Sequence, residues 1–560
     1  SKLMLNTHIE ECNKFWLKAI NSLSEDEILD IGGSRLNFYK DMHKSFKENT
    51  LYNEVISFLQ NKMLEQIILD YKKAQTRMVK EEIVESFTKE WGNDMKNRAT
   101  INKILDYQEK SKPRIVFFTG NWFDRGGINR VISIISSLLK EPYEIFVCCM
   151  RDPQNRKGYK LAKEITFLEL EESIFLYIPE LLKLLNVDIF IGSNNCFAPL
   201  IKLYEKIEDL EIRVIMWNHE SYFEPFYDST FEESIEVRKE VYGKVSVILW
   251  LSKLNAFIGK IFNRNTMVME NPLSLTTTAR EYLKKKSKNL ISVGRFNSPR
   301  KRIDRLIRIF AEVLKKKPET KLYIVGQYDL DMKIKCEDKS IQELIEDLKI
   351  PKENLIFVGE VNNVEDYYSK ACINIMTSER EGFGLTVLEA ASFAIPSVVF
   401  NGGGAAEILT DQVNGYIVEE DDLNDMAEKI LNLLNKERLY SEVSRAAYEL
   451  TLQYSQKKVG EKWRDLIEKL LKSKDGRLDI EKDKFTEEEK IKYFKDAILL
   501  YDKAFEKQKL EIVSRMENTL SWKSTKILRK IEKLINLLQT QGFLVTFRNI
   551  FSRIKERVWS

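Results

Sequence analysis

Short apolar runs, each followed by a loop and then a helical pattern, organise the chain from Arg114 to about residue 270. The run RIVFFTG has the length of a buried strand, and the stretch INRVISIISSLL behind it has apolar residues at helical spacing. This alternation predicts a doubly wound parallel sheet. Further predicted strands are EIFVCCM, VDIFIGS, RVIMWNH and VSVILWLS, separated by helical stretches such as Ser173 to Leu185.

A second set of the same kind begins near Lys288. Its predicted strands are NLISVGRF, KLYIVGQ, NLIFVGE, INIMTS and PSVVF, and its predicted helices cover residues 303–315, 341–348 and 386–393. The chain is therefore expected to be α/β, with one Rossmann-like half over residues 113–270 and another over 271–455. Ligands of such sheets bind at the carboxyl ends of the strands, and two halves that face each other enclose a cleft.

The segments on either side of these halves are charged and helical in period. Residues 1–112 place apolar residues at every fourth position from Val55 to Tyr71 and predict a helical N-terminal extension, which would pack on the next domain or a partner, with disorder as the alternative. Residues 456–473 predict a helix that returns toward the first half. Residues 474–519 combine a charged linker with a helix whose apolar residues repeat every seven positions. This repeat is compatible with a short coiled coil, through which residues 490–515 could form a homo-oligomer.

The last segment, residues 520–560, has the composition of a helix that lies in a membrane interface. It contains nine basic and two acidic residues, interleaved with aromatic side chains such as Trp522 and Phe547. Each basic residue near an anionic leaflet contributes about 1 kcal/mol to binding. We therefore expect contact with an anionic membrane surface, the alternative being a helical pair packed on the protein itself.

Composition narrows the range of functions further. The 89 basic and 86 acidic residues nearly cancel, which disfavours a nucleic-acid partner. Three histidines and six cysteines without paired spacing disfavour a metal site or a disulfide framework, and indicate a reducing cytosol. No apolar run approaches the ~20 residues needed to span a bilayer, and no signal-peptide pattern is visible.

The stretch EREGFGLTVLEA carries the first candidate chemistry. Glu381 and Glu389 lie eight residues apart, and Gly382, Phe383 and Gly384 precede a predicted helix that begins near Leu385. The unpaired amides and positive dipole end of such a helix favour an anion in front of it. Taken alone, the stretch also fits an ordinary strand-to-helix turn with solvated acids.

A second stretch, VGRFNSPRK, places two cations after a predicted strand. Arg295 follows the strand directly and Lys301 lies six residues later, near the start of a helix. Fixed cations at this edge of a sheet can neutralise a diphosphate and stabilise the charge that develops when it leaves.

Together, VGRFNSPRK and EREGFGLTVLEA resemble the family-4 retaining glycosyltransferases, over about residues 114–471. The resemblance implies the GT-B fold, in which two Rossmann-like domains face a cleft. It implies that Arg295 and Lys301 bind the diphosphate of a nucleotide-sugar donor, that Glu381 contacts the transferred sugar and that Glu389 accepts hydrogen bonds from the ribose. The backbone amides expected close to sugar and phosphate are those of Gly382, Phe383, Gly384 and Leu385.

The resemblance also assigns residues outside these two stretches. Val358, in the loop FVGEV, matches the segment that lies against the base. In the first half Gly126 and Gly127 match a glycine loop that faces the diphosphate, and His219 matches a histidine that reaches the donor sugar; a core histidine is the alternative for His219. The implied mechanism needs no metal and no cofactor, since Arg295, Lys301 and helix amides stabilise the leaving diphosphate. A UDP-sugar is the favoured donor.

Three departures from the family pattern bear on the site. Arg302 stands where the family usually has glycine, and would either crowd the phosphate or add a third cation. The sequence QYDLD replaces a glycine-rich turn after LYIVG, so the sequence does not determine which nucleotide base the donor carries. Asn271 and Pro272 replace an asparagine-glycine turn between the halves, which changes the hinge and not the chemistry.

These features predict a retaining hexosyltransferase at the cytoplasmic face of the cell membrane. It would move a hexose or N-acetylhexosamine from a nucleotide sugar to a cell-surface glycan, glycolipid or glycopolymer, with the acceptor either a glycan or lipid-linked. The alternatives are a non-catalytic GT-B scaffold subunit, which would lack the charged site, and an epimerase or phosphorylase, neither of which explains both stretches.

Overall fold

A computed structural model describes residues 111–500, with several interruptions. The gaps are residues 124–125, 151–157, 171–180, 183–184, 194–211, 223, 225–240, 261, 276–286, 335–336, 474–477, 479–484, 487, 494 and 498–499. The predictions for residues 1–110 and 501–560 therefore lie outside the described residues, as do most of the helix predicted at 173–185 and the junction at 276–286.

The first half is a parallel sheet of seven strands. Its strands are β1 (Arg114–Thr119), β2 (Glu144–Met150), β3 (Thr166–Leu170), β4 (Ile189–Ser193), β5 (Arg213–Asn218), β6 (Val247–Trp250) and β7 (Thr266–Val268). They lie in the order β3-β2-β1-β4-β5-β6-β7. Helices α1 (Gly127–Leu139) and α2 (Lys253–Gly259) follow β1 and β6. The five predicted strands are present, and β3 and β7 are additional.

The second half repeats this order with six parallel strands. They are β8 (Leu290–Val293), β9 (Leu322–Val325), β10 (Leu355–Gly359), β11 (Ile373–Met376), β12 (Ser397–Phe400) and β13 (Gly415–Val418), in the order β10-β9-β8-β11-β12-β13. Its helices are α3 (Ile303–Lys316), α4 (Ile341–Asp347), α5 (Glu365–Tyr368), α6 (Leu385–Ser392), α7 (Gly404–Ile408), α8 (Leu423–Asn435) and α9 (Glu437–Thr451). Short 3-10 turns lie at Pro299–Lys301 and Leu452–Tyr454.

The chain crosses between the halves twice. Residues 269–275 lead from β7 into the second half, and residues 452–456 lead back to α10 (Gln456–Lys472). The two crossings are bonded to each other, since the amide of Leu273 donates to the carbonyl of Tyr454 at 2.7 Å and the Gln456 amide donates to the carbonyl of Leu273 at 3.1 Å. They form a shared hinge.

Helix α10 belongs to the core of the first half. Trp463 is fully buried and packs on Trp217 of β5 with ring centroids 4.7 Å apart. Val459, Leu466 and Ile467 join the same apolar cluster. The helix thus buries its apolar stripe against the first sheet although it follows the second half in sequence.

Only the beginning of the predicted heptad segment lies among the described residues. Tyr493 packs with Leu254 and Phe257 of α2, and Lys253 pairs with Glu489 at 2.9 Å. Ile491, the first residue of the proposed coiled-coil repeat, is 48% exposed. The chain therefore uses a different face of this helix for its own packing. In the described part of the chain, no helix has both the length and the apolar character needed to cross a bilayer.

Candidate active site

The first wall of the candidate site is built from loops that follow strands of the second half. Arg295 follows β8, and Lys301 ends the 3-10 turn that precedes α3. The ammonium of Lys301 forms an ion pair with the carboxylate of Glu381, which follows β11. Thr377 donates its hydroxyl to the backbone carbonyl of Lys301 at 3.1 Å. The structure thus joins VGRFNSPRK to EREGFGLTVLEA.

Glu381 remains ionised in this position. Burial would raise the pKa of its carboxyl group, but the nearby charge and hydrogen bond of Lys301, with a hydrogen bond from Ser378, outweigh that effect and lower the pKa. The site therefore holds a fixed cation and a fixed anion in contact.

The glycines after Glu381 allow the chain to turn into α6. Gly384 has φ 101°, in the left-handed region that favours glycine, and no side chain caps the helix that begins at Leu385. No side chain of the described residues thus competes with a ligand for the amides at the start of α6, and the anion site there stays a prediction.

A glycine loop that the sequence analysis overlooked supports this turn. The amide of Gly404 donates to the carbonyl of Glu381 at 2.8 Å, and Gly403 pairs with Glu381 as an isolated parallel bridge. Gly403 has φ 104° and ψ −152°, a conformation restricted to glycine. The signal was present as three consecutive glycines, Gly402 to Gly404, directly after the buried strand PSVVF.

The second wall comes from the first half, and glycines bring its backbone close to the first wall at two places. At one, a Cβ atom on Gly126 would lie 2.5 Å from the guanidinium of Arg295, and one on Gly127 would lie 2.8 Å from Leu385. At the other, a Cβ atom on Gly382 would overlap the backbone carbonyl of His219. The carboxyl ends of the two sheets therefore meet at the predicted residues.

His219 is a buried, neutral histidine at the end of β5. It is 7% exposed, and its ring centroid lies 4.3 Å from that of Trp217. Burial lowers the pKa of the imidazole to about 3. At neutral pH the ring thus carries no charge, and the contact with Gly382 is made by its backbone.

Glu389 lies one helical turn inside α6 and is 4% exposed. Its Oε1 accepts hydrogen bonds from Arg130 of α1 at 2.7 Å and from Ser274 at 2.6 Å, while Oε2 accepts one from Tyr368 at 3.2 Å. None of these partners was predicted. The signal for Arg130 was that it is the charged residue in an otherwise uncharged helix, three residues after Gly127.

A second buried carboxylate, Glu224, joins the walls on the other side. It accepts hydrogen bonds from Arg300 at 2.7 Å and from Arg380 at 3.2 Å. Burial would raise the pKa of Glu224, but the two guanidinium groups lower it on balance. No sequence pattern predicted this cluster, although its acid, Glu224, lies only five residues after His219.

Val358 lies on β10 among apolar residues of the second half. It packs with Tyr367 against a cluster that contains Tyr368, the tyrosine bonded to Glu389. Val358, matched to the base, thus packs against the cluster that contains Tyr368, which donates a hydrogen bond to Glu389, the residue matched to the ribose. Tyr328, from QYDLD, packs instead on Phe357, with ring centroids 4.8 Å apart.

Arg302, which stands where the family usually has glycine, has a partner of its own. Its backbone has φ 47° and ψ 52°, the left-handed region that glycine adopts without strain. Its guanidinium makes two hydrogen bonds to Asp304, at 3.0 and 2.7 Å. Arg302 is thus engaged by a neighbouring acid in its own helix.

Comparison with known proteins agrees with this geometry. Residues 276–450 match the family model described as glycosyl transferases group 1. An uncharacterized glycosyltransferase of Haemophilus influenzae is 26% identical over 385 residues, which are 63% of this chain and 99% of that protein. The poly(ribitol-phosphate) alpha-N-acetylglucosaminyltransferase of Staphylococcus aureus is 33% identical over 171 residues, 30% of this chain and 33% of that protein.

Among solved structures, HepE of Anabaena in complex with UDP and glucose superposes with a TM-score of 0.52 at 15% identity. The match covers 64% of this chain and 99% of HepE. At this identity the likeness concerns the fold. The group 1 match covers the loops that carry Arg295, Lys301, Glu381 and Glu389. Residues 276–450 are therefore a group 1 glycosyltransferase domain, and the chain is a glycosyltransferase of the GT-B fold.

Proposed function

We propose that the protein is a retaining, metal-independent hexosyltransferase of bacterial surface-glycan synthesis. It moves a hexose or N-acetylhexosamine from a nucleotide sugar, with UDP-sugars favoured, to a glycan or lipid-linked acceptor. The observation that carries the proposal is the contact of Arg295 with Gly126 and of Leu385, at the start of α6, with Gly127 of the opposite wall, together with the ion pair of Lys301 and Glu381.

In the proposed reaction the bond from the anomeric carbon of the sugar to the diphosphate breaks, and a bond from that carbon to the acceptor oxygen forms. The proton of the acceptor hydroxyl passes to an oxygen of the leaving diphosphate on the same face of the sugar. Arg295, Lys301 and the α6 amides stabilise the charge that develops on the diphosphate. Glu381 positions the sugar, and Glu389 binds the ribose.

A donor screen tests the proposal. Thermal unfolding is measured with UDP-, GDP- and ADP-sugars, and the matching donor should raise the melting temperature as its concentration rises, because it binds the folded state. The free sugar serves as the control ligand. A protein that no nucleotide sugar stabilises would contradict the proposal.

Product analysis then distinguishes the reaction types. An α-linked product from an α-linked donor indicates retention, and a β-linked product would contradict it. Turnover without any acceptor would indicate an epimerase. Donor binding without turnover in the presence of candidate glycan acceptors would favour the scaffold alternative.

The membrane contact is proposed from composition, because residues 520–560 lie outside the described residues. Lipid-linked acceptors would meet a membrane-bound enzyme at higher local concentration. The full chain should co-sediment with liposomes that contain anionic lipid. Replacement of Lys523, Lys526, Arg529 and Lys530 by glutamine should release it, and unchanged co-sedimentation would contradict this part of the proposal.

Self-association through residues 490–515 is likewise a proposal, since the residues after 500 lie outside the described ranges. Sedimentation of the full chain tests it. A concentration-dependent dimer that Ile491→Lys dissociates would support it, and a monomer at all concentrations would contradict it.

A further inference from the structure

Arg130 is a charged residue of the cleft that the proposed reaction does not use. It lies in the first turn of α1, three residues after Gly127, and its Nη1 donates to Oε1 of Glu389 at 2.7 Å. Its side chain is 25% exposed and that of Glu389 is 5% exposed. The pair thus joins the first half to the second in a largely dry position.

The surroundings of Glu389 show why Arg130 matters. Ser274, on the crossing between the halves, and Tyr368, in α5, donate their hydroxyls to the same carboxylate. Burial and the Glu389 carboxylate raise the pKa of Tyr368 well above its usual value, so this tyrosine stays protonated and donates. Among the described residues, Arg130 supplies the ion pair that compensates the charge of Glu389.

The hydrogen-bond capacity of this carboxylate is nearly used. An ionised carboxyl group accepts about four hydrogen bonds, about two at each oxygen. Among the described residues, Oε1 accepts hydrogen bonds from Arg130 and Ser274, whereas Oε2 accepts one from Tyr368 alone. The arrangement fixes Oε1 and leaves one acceptor direction on Oε2 for a ligand hydroxyl.

We propose that Arg130 is a positioning residue that couples closure of the two halves to recognition of the donor's ribose. The inference rests on the proposed function, in which Glu389 binds the ribose. Arg130 holds the glycine loop of the first half against Glu389 and orients the carboxylate so that Oε2 faces the ribose. Because both events use the same carboxylate, each favours the other.

A double-mutant cycle on UDP binding tests this role. Binding is measured by calorimetry for the wild-type chain, Arg130→Gln, Glu389→Gln and the double variant. Arg130→Gln should weaken UDP binding about tenfold, which corresponds to about 1.4 kcal/mol, and should change it little when Glu389 is already glutamine. Arg130→Lys, which keeps one charged donor, should restore part of the affinity.

Uridine distinguishes this role from a direct contact with the diphosphate. If Arg130 acts through Glu389, the substitution weakens uridine and UDP by the same factor. A loss confined to UDP, or one that persists in the Glu389→Gln background, would show that Arg130 binds phosphate and would overturn the inference. Unchanged UDP binding by Arg130→Gln would also overturn it.

Thermal unfolding without ligand supplies an independent measurement. Arg130→Gln should lower the melting temperature of the wild-type chain more than that of Glu389→Gln. Arg438→Gln is the matched control, because Arg438 is 94% exposed and pairs with Glu442 at the surface. A wild-type chain that binds no UDP, GDP or ADP would refute the proposed function and the inference together, whereas normal binding by Arg130→Gln refutes the inference alone.

Discussion

The two walls of the cleft contribute different physical properties. The second half supplies charges that point at one another, Lys301 and Glu381, together with Arg295 beside them. The first half supplies backbone at Gly126 and Gly127, and a histidine that is neutral at physiological pH. We therefore expect the second half to stabilise the charge of a bound diphosphate. The small residues of the first half, Gly126 and Gly127, allow the two walls to approach closely.

Two charged residues of the first half form ion pairs with the second half across the cleft. Arg130 pairs with Glu389, and Glu224 pairs with Arg300 and Arg380. The first half thus uses its charges to hold the walls together. Substitutions should consequently change different quantities: turnover where a charge of the second half is removed, and closure or stability where a contact between the walls is changed.

The largest effect is expected for Lys301→Ala. Loss of this cation removes stabilisation of the leaving diphosphate and should lower kcat about 10³-fold, or about 4 kcal/mol. Initial rates at saturating donor measure it. Thermal unfolding is the control, because the same change also leaves Glu381 without its ion pair, and a fully active variant would contradict the assignment of Lys301 to the phosphate.

Breaking the Glu224 cluster should mainly reduce stability. Glu224→Gln removes the carboxylate that pairs with both Arg300 and Arg380, at a cost of about 3 kcal/mol in the free energy of unfolding, while Arg380 keeps its pair with Glu379 at 3.4 Å. Denaturant unfolding measures the change. Glu442→Gln, at an exposed surface pair, is the matched control and should change stability by less than about 0.5 kcal/mol.

Closure is tested with a single methyl group. Gly382→Ala would place its Cβ against the carbonyl of His219, so the walls should separate and kcat should fall about 10²-fold, or about 2.7 kcal/mol. The fall in kcat should exceed the loss of donor affinity. Gly243→Ala is the control, because nothing lies within 4 Å of a Cβ atom there; equal effects of the two changes would contradict the close approach.

The smallest effect, about 1.4 kcal/mol for a change of one pH unit, concerns the pH dependence of stability. The folded state lowers the pKa of His219 to about 3, below the ordinary value near 6.5, so between these values the unfolded chain binds an additional proton. Stability from this group is present above pH ~6.5 and falls by up to about 1.4 kcal/mol per pH unit as pH decreases toward 3. Unfolding of wild type and His219→Gln across pH 3–7 should differ by this slope, and parallel curves would contradict a buried neutral histidine.

The sequence predicted the elements that carry the site because their patterns are local. A short, continuous apolar run such as EIFVCCM, rich in β-branched and aromatic residues, is typical of a buried strand, and β2 has these bounds. The strands that were not predicted have weak patterns of their own. TFLEL includes the charged residue Glu169 and does not alternate regularly between apolar and polar residues, and GYIV is an apolar run of only four residues. Their inclusion depends on the neighbouring strand and not on their own pattern.

The cross-wall pairs could not be predicted for a related reason. Arg130 and Glu389 are separated by 259 positions, and periodicity reports which face of a helix is apolar, but not which residue of another domain lies opposite. Arg302 illustrates a further limit. The family resemblance suggested that the side chain of Arg302 would disturb the phosphate site. The structure shows instead that the backbone of Arg302 is in the left-handed region, which explains why glycine suits this position.

The bonded crossings at Leu273 and Tyr454 have a mechanical consequence. The two crossings run side by side between the halves and are bonded to each other, so they form a single connection. The second crossing continues into α10, which packs on Trp217 in the core of the first half. We therefore expect any movement of one half relative to the other to be a rotation about this connection, which would keep Gly382 opposite His219.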